Sequence, residues 1–354
     1  MKILLLTRYG MRGASSRLRY YQYLPYLRLQ GISVEITELF GNSYIDGLMK
    51  HGRRSWLSVL SAYTRRIWQL QKIRRYDLIW VEYEVFPWMP YWIERLFLNV
   101  GVPYVVEYDD AIFHRYDSHA REGVRLLLGG KIDALMRCSK TVIVGNDYLA
   151  DRALRADASC VEQIPTAIDL DRYTPVEKPD KGDFVVGWIG SPITAPYLKM
   201  LMPALMRLAE TGPLKLLVVG AEAPRLDGID CVSVPWSEES EAIQINNFDV
   251  GVMPLPDDPW ERGKCGYKLI QYMACAKPVV ASPVGINASI VEPGINGFLA
   301  ISIDDWVSAL QRLRGDKDLR SAMGRAGRHK VIKDYCIQVT APRLAAILRQ
   351  AVSG

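Results

Sequence analysis

Short runs made almost wholly of apolar and β-branched residues alternate along this chain with stretches of helical periodicity, and the alternation happens twice. In the first half KILLLT (2–7), SVEI (33–36), DLIWVE (77–82), YVVEY (104–108), TVIV (141–144) and CVEQI (160–164) read as strands, with helices expected over about 15–29, 55–73 and 88–98. A run that is apolar on both faces must be covered on both faces, and strand–helix repetition gives a parallel sheet with helices on either side. The stretch PTAIDLDRYTPVEKPDKGD (165–183) interrupts the pattern with three prolines and five acids. It then restarts with FVVGWIG (184–190), LKLLVVG (214–220), CVSV (231–234), FDVGVMPL (248–255), PVVAS (278–282) and GFLA (297–300), with helices expected at about 197–210, 303–314, 316–332 and 338–352. The expected fold is α/β, with two Rossmann-like doubly wound domains facing a central cleft. We place them at 1–168 and 184–335, joined by a linker at 169–183, with 336–354 a terminal helix that can pack back on the first domain. A chain of 354 residues exceeds what one core usually holds, which agrees with two domains.

Composition narrows the class. The chain is 49% apolar and 23% charged, as a globular protein is. Its six cysteines (138, 160, 231, 265, 275 and 336) form no CxxC pair, which suits reduced thiols in a cytoplasmic protein. The opening MKILLLTRYG is too short for a signal peptide, and no window of 18 uninterrupted apolar residues is present, so no spanning helix is expected. Residues 1–165 hold 23 Lys and Arg against 17 Asp and Glu, whereas 166–354 hold 21 against 22. The excess of cations therefore belongs to the first half.

Ligands of doubly wound sheets sit beyond the carboxyl ends of the strands. In the second half that edge includes residues 254–268, the loop from FDVGVMPL into an apolar helix holding Leu269, Ile270, Met273 and Ala274. Arg262, Lys264 and Lys268 crowd the start of this helix with no acid after Glu261. Cations at the positive end of a helix dipole are unfavourable unless an anion faces them. Gly263 and Gly266 permit close backbone approach, and Lys264 and Lys268 are four apart, on one face. The arrangement suits a phosphate or diphosphate; it also fits a solvated basic turn.

The run KCGYKLIQYMACAKPVVASPVG (264–285) resembles the donor-site segment of family-4 glycosyltransferases of the GT-B fold. SSRLRYYQYLPYLRLQG (15–31), VEYDDA (106–111), VIVGNDYLADRA (142–153), IPTAIDLDRYTP (164–175), GWIGSP (187–192) and PGINGFLA (293–300) agree in order and place, so the resemblance spans nearly the whole chain. It implies a nucleotide-sugar in the second domain, an acceptor in the first, and transfer with retention and without a metal or other cofactor. The anion is then the nucleotide diphosphate. Lys268 takes the place of the family's phosphate-binding lysine, with Lys264, Gly266, Gly190 and Ser191 as further phosphate candidates. Two departures stand out. Gln271 occupies the position of a ribose-binding glutamate, and the other family glutamate falls near Gly263, with Glu261 two residues away; Gln271 and Glu261 are the ribose and sugar candidates. After the first donor-domain strand the family often carries Arg and Lys, whereas this chain has Gly190-Ser191-Pro192-Ile193-Thr194. Trp236 is a candidate neighbour of the base, or a core residue.

Asp109 and Asp110 end a strand at the expected cleft edge, Asp109 where family members often have His. An acid there can accept an acceptor proton or orient the sugar, or merely cap a turn. Asp257 and Asp258 read as turn residues. In the first loop, Gly13 permits close approach, and Arg17 and Arg19 suit an anionic acceptor or a helix surface. The histidines (51, 114, 119 and 329) lack zinc-like spacing, and no metal is expected. From Lys50 to Arg75 there are eight cations and no acid. The stripe Trp56, Leu60, Tyr63, Ile67 and Leu70 is expected to pack on the sheet, leaving Arg54, Arg65 and Lys72 outward. With VFPWMPYW (85–92) nearby, this face suits peripheral contact with an anionic membrane through 50–75, or simple solvation. Nucleic acid is not an expected partner, since no binding motif is present. The resulting expectation is a cytoplasmic glycosyltransferase, at the inner face of a membrane if that contact forms, moving a sugar from a nucleoside diphosphate to a glycan or lipid-linked acceptor. A GT-B-fold sugar-nucleotide epimerase and a non-catalytic sugar-nucleotide-binding scaffold are the alternatives.

Overall fold

The computed structural model describes residues 1–41, 56–176 and 182–353. The expectations for Lys50, His51 and Arg54, and for 177–181 of the linker, lie outside the described residues. The chain divides into two compact units, one of residues 1–166 with 340–354 and one of 167–339.

The first unit is built on a six-stranded sheet. Its strands are β1 (Lys2–Tyr9), β2 (Ser33–Phe40), β3 (Leu78–Glu82), β4 (Tyr104–Tyr108), β5 (Thr141–Val144) and β6 (Val161–Gln163), in the order β2-β1-β3-β4-β5-β6. Every pairing is parallel. Ile3, Leu5, Leu78, Trp80, Val105 and Val142 have essentially no exposed surface, as a sheet covered on both faces requires. The terminal segment packs here too, with the Tyr23 and Thr340 hydroxyls 2.9 Å apart. The order reverses between β1 and β3, so their carboxyl ends diverge into a crevice.

The second unit repeats the plan with β7 (Phe184–Ile189), β8 (Leu214–Val219), β9 (Asp230–Val234), β10 (Val250–Met253), β11 (Val279–Ala281) and β12 (Gly297–Leu299), ordered β12-β11-β10-β7-β8-β9. These pairings are also all parallel. Alternate residues of β7 feed two cores. Val186 and Trp188 join Leu205, Leu208, Leu310 and Leu313, while Val185 and Ile189 join Leu269, Tyr272 and Met273. The reversal here falls between β7 and β10.

Three expected helices differ. The one read at about 197–210 is a 3-10 stretch, Ala195–Met200, followed by the α-helix Met202–Ala209. The helix read over 15–29 is broken into Ala14–Arg19, a 3-10 turn Tyr21–Tyr23 and Leu24–Leu29. Pro25, at the start of the last piece, has no N–H to continue a preceding helix. The helix Trp56–Leu70 is present, but its stripe packs only in part: Leu70 is buried and Tyr63 lies against Leu39, Phe40 and Ala62, whereas the expected packing of Trp56, Leu60 and Ile67 is overturned. Ala62, Arg66 and Leu70 are buried, whereas Trp56, Leu57, Leu60, Ile67 and Trp68 are exposed. Arg66 takes the inward face because its guanidinium donates to the carbonyls of Thr7 at 2.7 Å and Thr37 at 3.1 Å. A buried cation is tolerated when hydrogen-bonded in this way, although burial still lowers its pKa to about 10. Arg65 and Lys72 are outward as expected.

Candidate functional site

In the second unit, the loop after β7 and the loop after β10 meet at the point of strand reversal. A Cβ on Gly190 would lie 2.4 and 2.6 Å from the ring carbons Cη2 and Cζ2 of Trp188 and 2.9 Å from Cε of Lys268. The Lys268 side chain therefore lies across the backbone of Gly190, with Nζ 5.2 Å from the Trp188 ring centroid. Gly266 precedes the helix Tyr267–Ala274 with φ 66°, and a Cβ there would meet Ile290 Cδ1 at 2.3 Å. Glycine is thus demanded by backbone and by packing. No side chain caps this helix, and its first turn contains no acid. Its positive end is suited to an anion. Tyr272 fixes the geometry from beneath: the Ile189 N–H donates to its hydroxyl at 3.0 Å, tying the end of β7 to the helix.

The other phosphate candidates fall around this point. Lys264 is partly buried in the loop, its N–H donating to the Glu261 carbonyl at 3.1 Å. Ser191 is exposed beside Gly190, and its carbonyl accepts from the Thr194 N–H at 3.0 Å and hydroxyl at 3.2 Å. The Thr194 hydroxyl is thereby committed to the turn. Gly220, at the end of β8, abuts the Gly190 carbonyl and the Cβ of Trp236. Trp236 is 40% exposed, which removes the core reading for it.

Glu261 and Gln271 are both buried. Glu261 accepts a hydrogen bond from the Tyr197 hydroxyl. Gln271 donates to the Tyr173 hydroxyl at 3.0 Å, Tyr173 donates to Glu241, and Trp236 Nε1 donates to the other Glu241 oxygen at 2.8 Å. This network links Gln271 to Trp236. Sequence reasoning missed Tyr173 and Glu241, since one stands in the presumed linker and the other follows no motif. Asp257 binds Arg262 through both oxygens, at 2.7 and 3.1 Å, a turn role as expected. A cavity of about 770 Å³ lies at the opposite, amino edge of the sheet, lined by Phe184, Pro213, Asp249 and Pro278 among others. Its size does not make it the site: it lies away from the carboxyl edge where ligands of such sheets sit, and the helix start that borders it, at Lys317, is already capped by the Asp316 side chain.

In the first unit, Gly13 precedes the helix Ala14–Arg19, and a Cβ there would strike Tyr9 at 2.6 Å. Arg17 and Arg19 are buried. Arg17 approaches the Met11 carbonyl at 3.4 Å. Arg19 pairs with Glu107 at 2.7 Å and donates to the Ile164 carbonyl at 3.0 Å, so it is a structural ion pair and not an acceptor contact. Asp109 and Asp110 lie partly buried beyond β4, and Asp109 accepts from the Tyr83 hydroxyl. Tyr83 holds φ 61°, a strained conformation for a bulky residue and one that clusters at functional sites. Glu82, at the end of β3, accepts the Arg8 N–H at 2.6 Å and the Ser16 hydroxyl at 2.7 Å, while burial pushes its pKa to about 8. His114 bridges Asp117 at 2.9 Å and Tyr148 at 2.7 Å. Among the described residues, no group of three or more His, Cys, Asp or Glu is placed to hold a metal ion, and no helix is long and apolar enough to cross a membrane.

Comparison with known proteins bears on both units. Residues 183–316 match the family described as Glycosyl transferases group 1. A D-inositol 3-phosphate glycosyltransferase of Segniliparus rotundus is 26% identical over 227 residues, covering 56% of this chain and 49% of that protein. One of Stackebrandtia nassauensis is 29% identical over 203 residues, covering 48% and 44%. The chain spans about half the length of the curated relatives it matches. Among solved structures, Anabaena HepE in complex with UDP-glucose superposes with a TM-score of 0.72 at 16% identity, over 99% of this chain and 100% of that one. Sucrose-phosphate synthase from Thermosynechococcus elongatus gives 0.72 at 17%, over 99% and 98%. These likenesses show the fold, which is GT-B-like, with two parallel α/β units.

Proposed function

We propose, from the premise that residues 183–316 belong to the glycosyl transferases group 1 family and that the fold is GT-B-like, that this chain is a retaining glycosyltransferase. It moves a sugar from a nucleoside diphosphate to a glycan or lipid-linked acceptor in the synthesis of a bacterial-type polysaccharide or glycoconjugate. The observation that carries the reading is the meeting of Lys268, Gly190 and the uncapped helix start at Gly266 beyond β7 and β10. A diphosphate seated there receives backbone N–H groups, a helix dipole and an ammonium, and its negative charge grows as the sugar–phosphate bond breaks. Donors fixed in advance stabilise that growth without a metal. Lys264 and Ser191 extend the cradle. Trp236 stands near the base, and Gln271 positions the ribose side of the pocket through Tyr173. Asp109 and Asp110 meet the acceptor hydroxyl or the transferred sugar, and the departing phosphate assists removal of the acceptor proton. Uridine is the base to try first, given the UDP-glucose bound by the structurally similar HepE.

The exposed face of Trp56, Leu57, Leu60, Ile67 and Trp68 supports peripheral membrane contact, as does Lys72, whose Nζ lies 4.0 Å from the Trp68 ring. Indoles beside cations suit an anionic interface.

The test is thermal unfolding and calorimetry of the full chain with UDP, GDP, dTDP and their sugars, followed by an assay of donor hydrolysis. A ligand at a hundred times its Kd stabilises the fold by about 2.7 kcal/mol. The expected result is stabilisation by one nucleoside diphosphate, lost in Lys268→Ala and kept in Arg65→Ala. Stabilisation by none of them refutes the reading. Binding without any hydrolysis or transfer favours a non-catalytic scaffold.

A further inference from the structure

The hydrogen bonds around Glu241 form a chain whose direction follows atom by atom. Glu241, Tyr173 and Gln271 are all buried, and each comes from a different stretch: the helix Glu241–Asn246, the residue after the 3-10 turn Leu170–Arg172, and the helix Tyr267–Ala274. One Glu241 oxygen meets the Tyr173 hydroxyl, and the other meets Trp236 Nε1 at 2.8 Å. Arg172, anchored on Glu238 at 2.6 Å, brings its guanidinium to 3.7 Å from Glu241. A carboxyl group facing two donors and a cation is ionised at neutral pH and can only accept. Tyr173 keeps its proton, because burial, and then Tyr267 and Glu241, hold its phenol well above the ordinary value. Its single O–H therefore points at Glu241. The Tyr173 oxygen can then only accept, from the Tyr267 hydroxyl at 3.1 Å and from Gln271 at 3.0 Å. Gln271 must turn its NH2 toward Tyr173, which sends its amide oxygen to the other side. Among the described residues, no hydrogen bond occupies that oxygen.

The chain reaches the diphosphate cradle at two points. Gln271 follows Lys268 by three residues and shares its helix face. Trp236 Cβ lies 3.0 Å from where a Cβ on Gly220 would stand, and that same position is 2.4 Å from the carbonyl oxygen of Gly190, the residue that Lys268 crosses.

We propose that Glu241 is a positioning residue of the donor site: it orients Trp236 directly and Gln271 through Tyr173, so that the Gln271 amide oxygen accepts from a ribose hydroxyl of the donor nucleotide. This deepens the transferase reading and rests on it. A site built in this way rejects a nucleotide that lacks the hydroxyl, since the acceptor is then left buried and unpaired. Glu241→Gln reverses the chain. The new amide has one oxygen, which the Trp236 N–H requires, so its NH2 meets Tyr173. Tyr173 then donates to Gln271, whose amide turns and presents NH2 to the ribose. Adding Gln271→Glu to Glu241→Gln cures the reversal, because the second carboxylate accepts from Tyr173 with one oxygen and from the ribose with the other.

The experiment is calorimetric titration of the full chain. UDP, GDP and dTDP are compared, and the tightest is set against analogues lacking one ribose hydroxyl, which for UDP are 2′-deoxy-UDP and 3′-deoxy-UDP. The wild type is expected to bind one analogue at least about tenfold more weakly than the parent. In Glu241→Gln that ratio falls to about threefold or less, and the double variant with Gln271→Glu restores it. A merely structural loss at position 241 is not repaired by a second change of charge three residues beyond Lys268. Tyr173→Phe also lowers the ratio, and it carries the test if thermal unfolding without nucleotide shows that Glu241→Gln does not fold. Equal affinity of the wild type for the parent and its analogues, a ratio unchanged in Glu241→Gln or Tyr173→Phe, or no recovery in the double variant overturns the assignment. Failure of the wild type to bind any of the three nucleoside diphosphates defeats the transferase reading, and this inference with it.

Discussion

Gly190→Ala tests whether the strand-end glycine keeps Lys268 in place. The added methyl would stand 2.4 and 2.6 Å from Trp188 and 2.9 Å from Lys268 Cε, where ordinary carbon contacts need about 3.5–4.0 Å. The backbone cannot easily retreat, because the Gly190 N–H is held by the Val219 carbonyl at 3.0 Å. Trp188 is 1% exposed, so moving its ring disturbs a packed core at a cost of about 1–3 kcal/mol. Lys268 is the flexible neighbour and swings away. If its ammonium binds the donor diphosphate, the variant loses one charged hydrogen bond, about 1.5–3 kcal/mol, or a rise in Kd of about 10- to 150-fold. Calorimetric titration with UDP measures that loss, and thermal unfolding measures the packing cost separately. A double-mutant cycle with Lys268→Met decides the route. Acting through Lys268, Gly190→Ala adds little to the affinity loss of Lys268→Met. Fully additive losses, or UDP affinity equal to wild type in Gly190→Ala, refute the reasoning.

Three further outcomes are expected. Gly266→Ala forces a left-handed residue to carry a Cβ into Ile290, and should cost about 2–4 kcal/mol from strain and overpacking, seen as a lowered urea midpoint. Glu82, with its folded pKa raised to about 8 against about 4.3 unfolded, stabilises fully below about pH 4.3 and loses that contribution as pH rises through 8. Urea midpoints of the wild type should therefore fall more steeply between pH 5 and 8 than those of Glu82→Gln; parallel curves contradict the assignment. Trp56→Ser with Trp68→Ser should leave the melting temperature within a degree or two and reduce sedimentation with anionic vesicles by roughly tenfold or more, since each exposed indole supplies roughly 1.5–3 kcal/mol on burial.

Much of the architecture was legible because a strand buried on both faces leaves an unbroken apolar run. KILLLT, YVVEY and FVVGWI each fall on an observed strand within a residue or two. The loop before the helix Tyr267–Ala274 stood out for a related reason: glycines and lysines at a helix start are chemically odd unless something negative is present, and Lys268 does lie across Gly190. The orientation of Trp56–Leu70 was not legible. The hydrophobic stripe puts Trp56, Leu60 and Ile67 inward beside Leu70, but the fold places Arg66 next to Leu70 instead and satisfies it with two sheet carbonyls. Arg19 misled in the same direction, since its partner Glu107 is distant in sequence and only the sheet brings them together. Gln271 reads as a ligand contact in sequence, but the structure adds Tyr173 and Glu241 between it and Trp236.

The most direct test of the account is a crystal structure of the full chain with UDP. We expect the β-phosphate against the amino end of the helix Tyr267–Ala274, with Lys268 Nζ in hydrogen-bond range and the Gly190 backbone alongside. Diphosphate density at the amino-edge cavity near Phe184, or anywhere else with the Lys268 site empty, would contradict it.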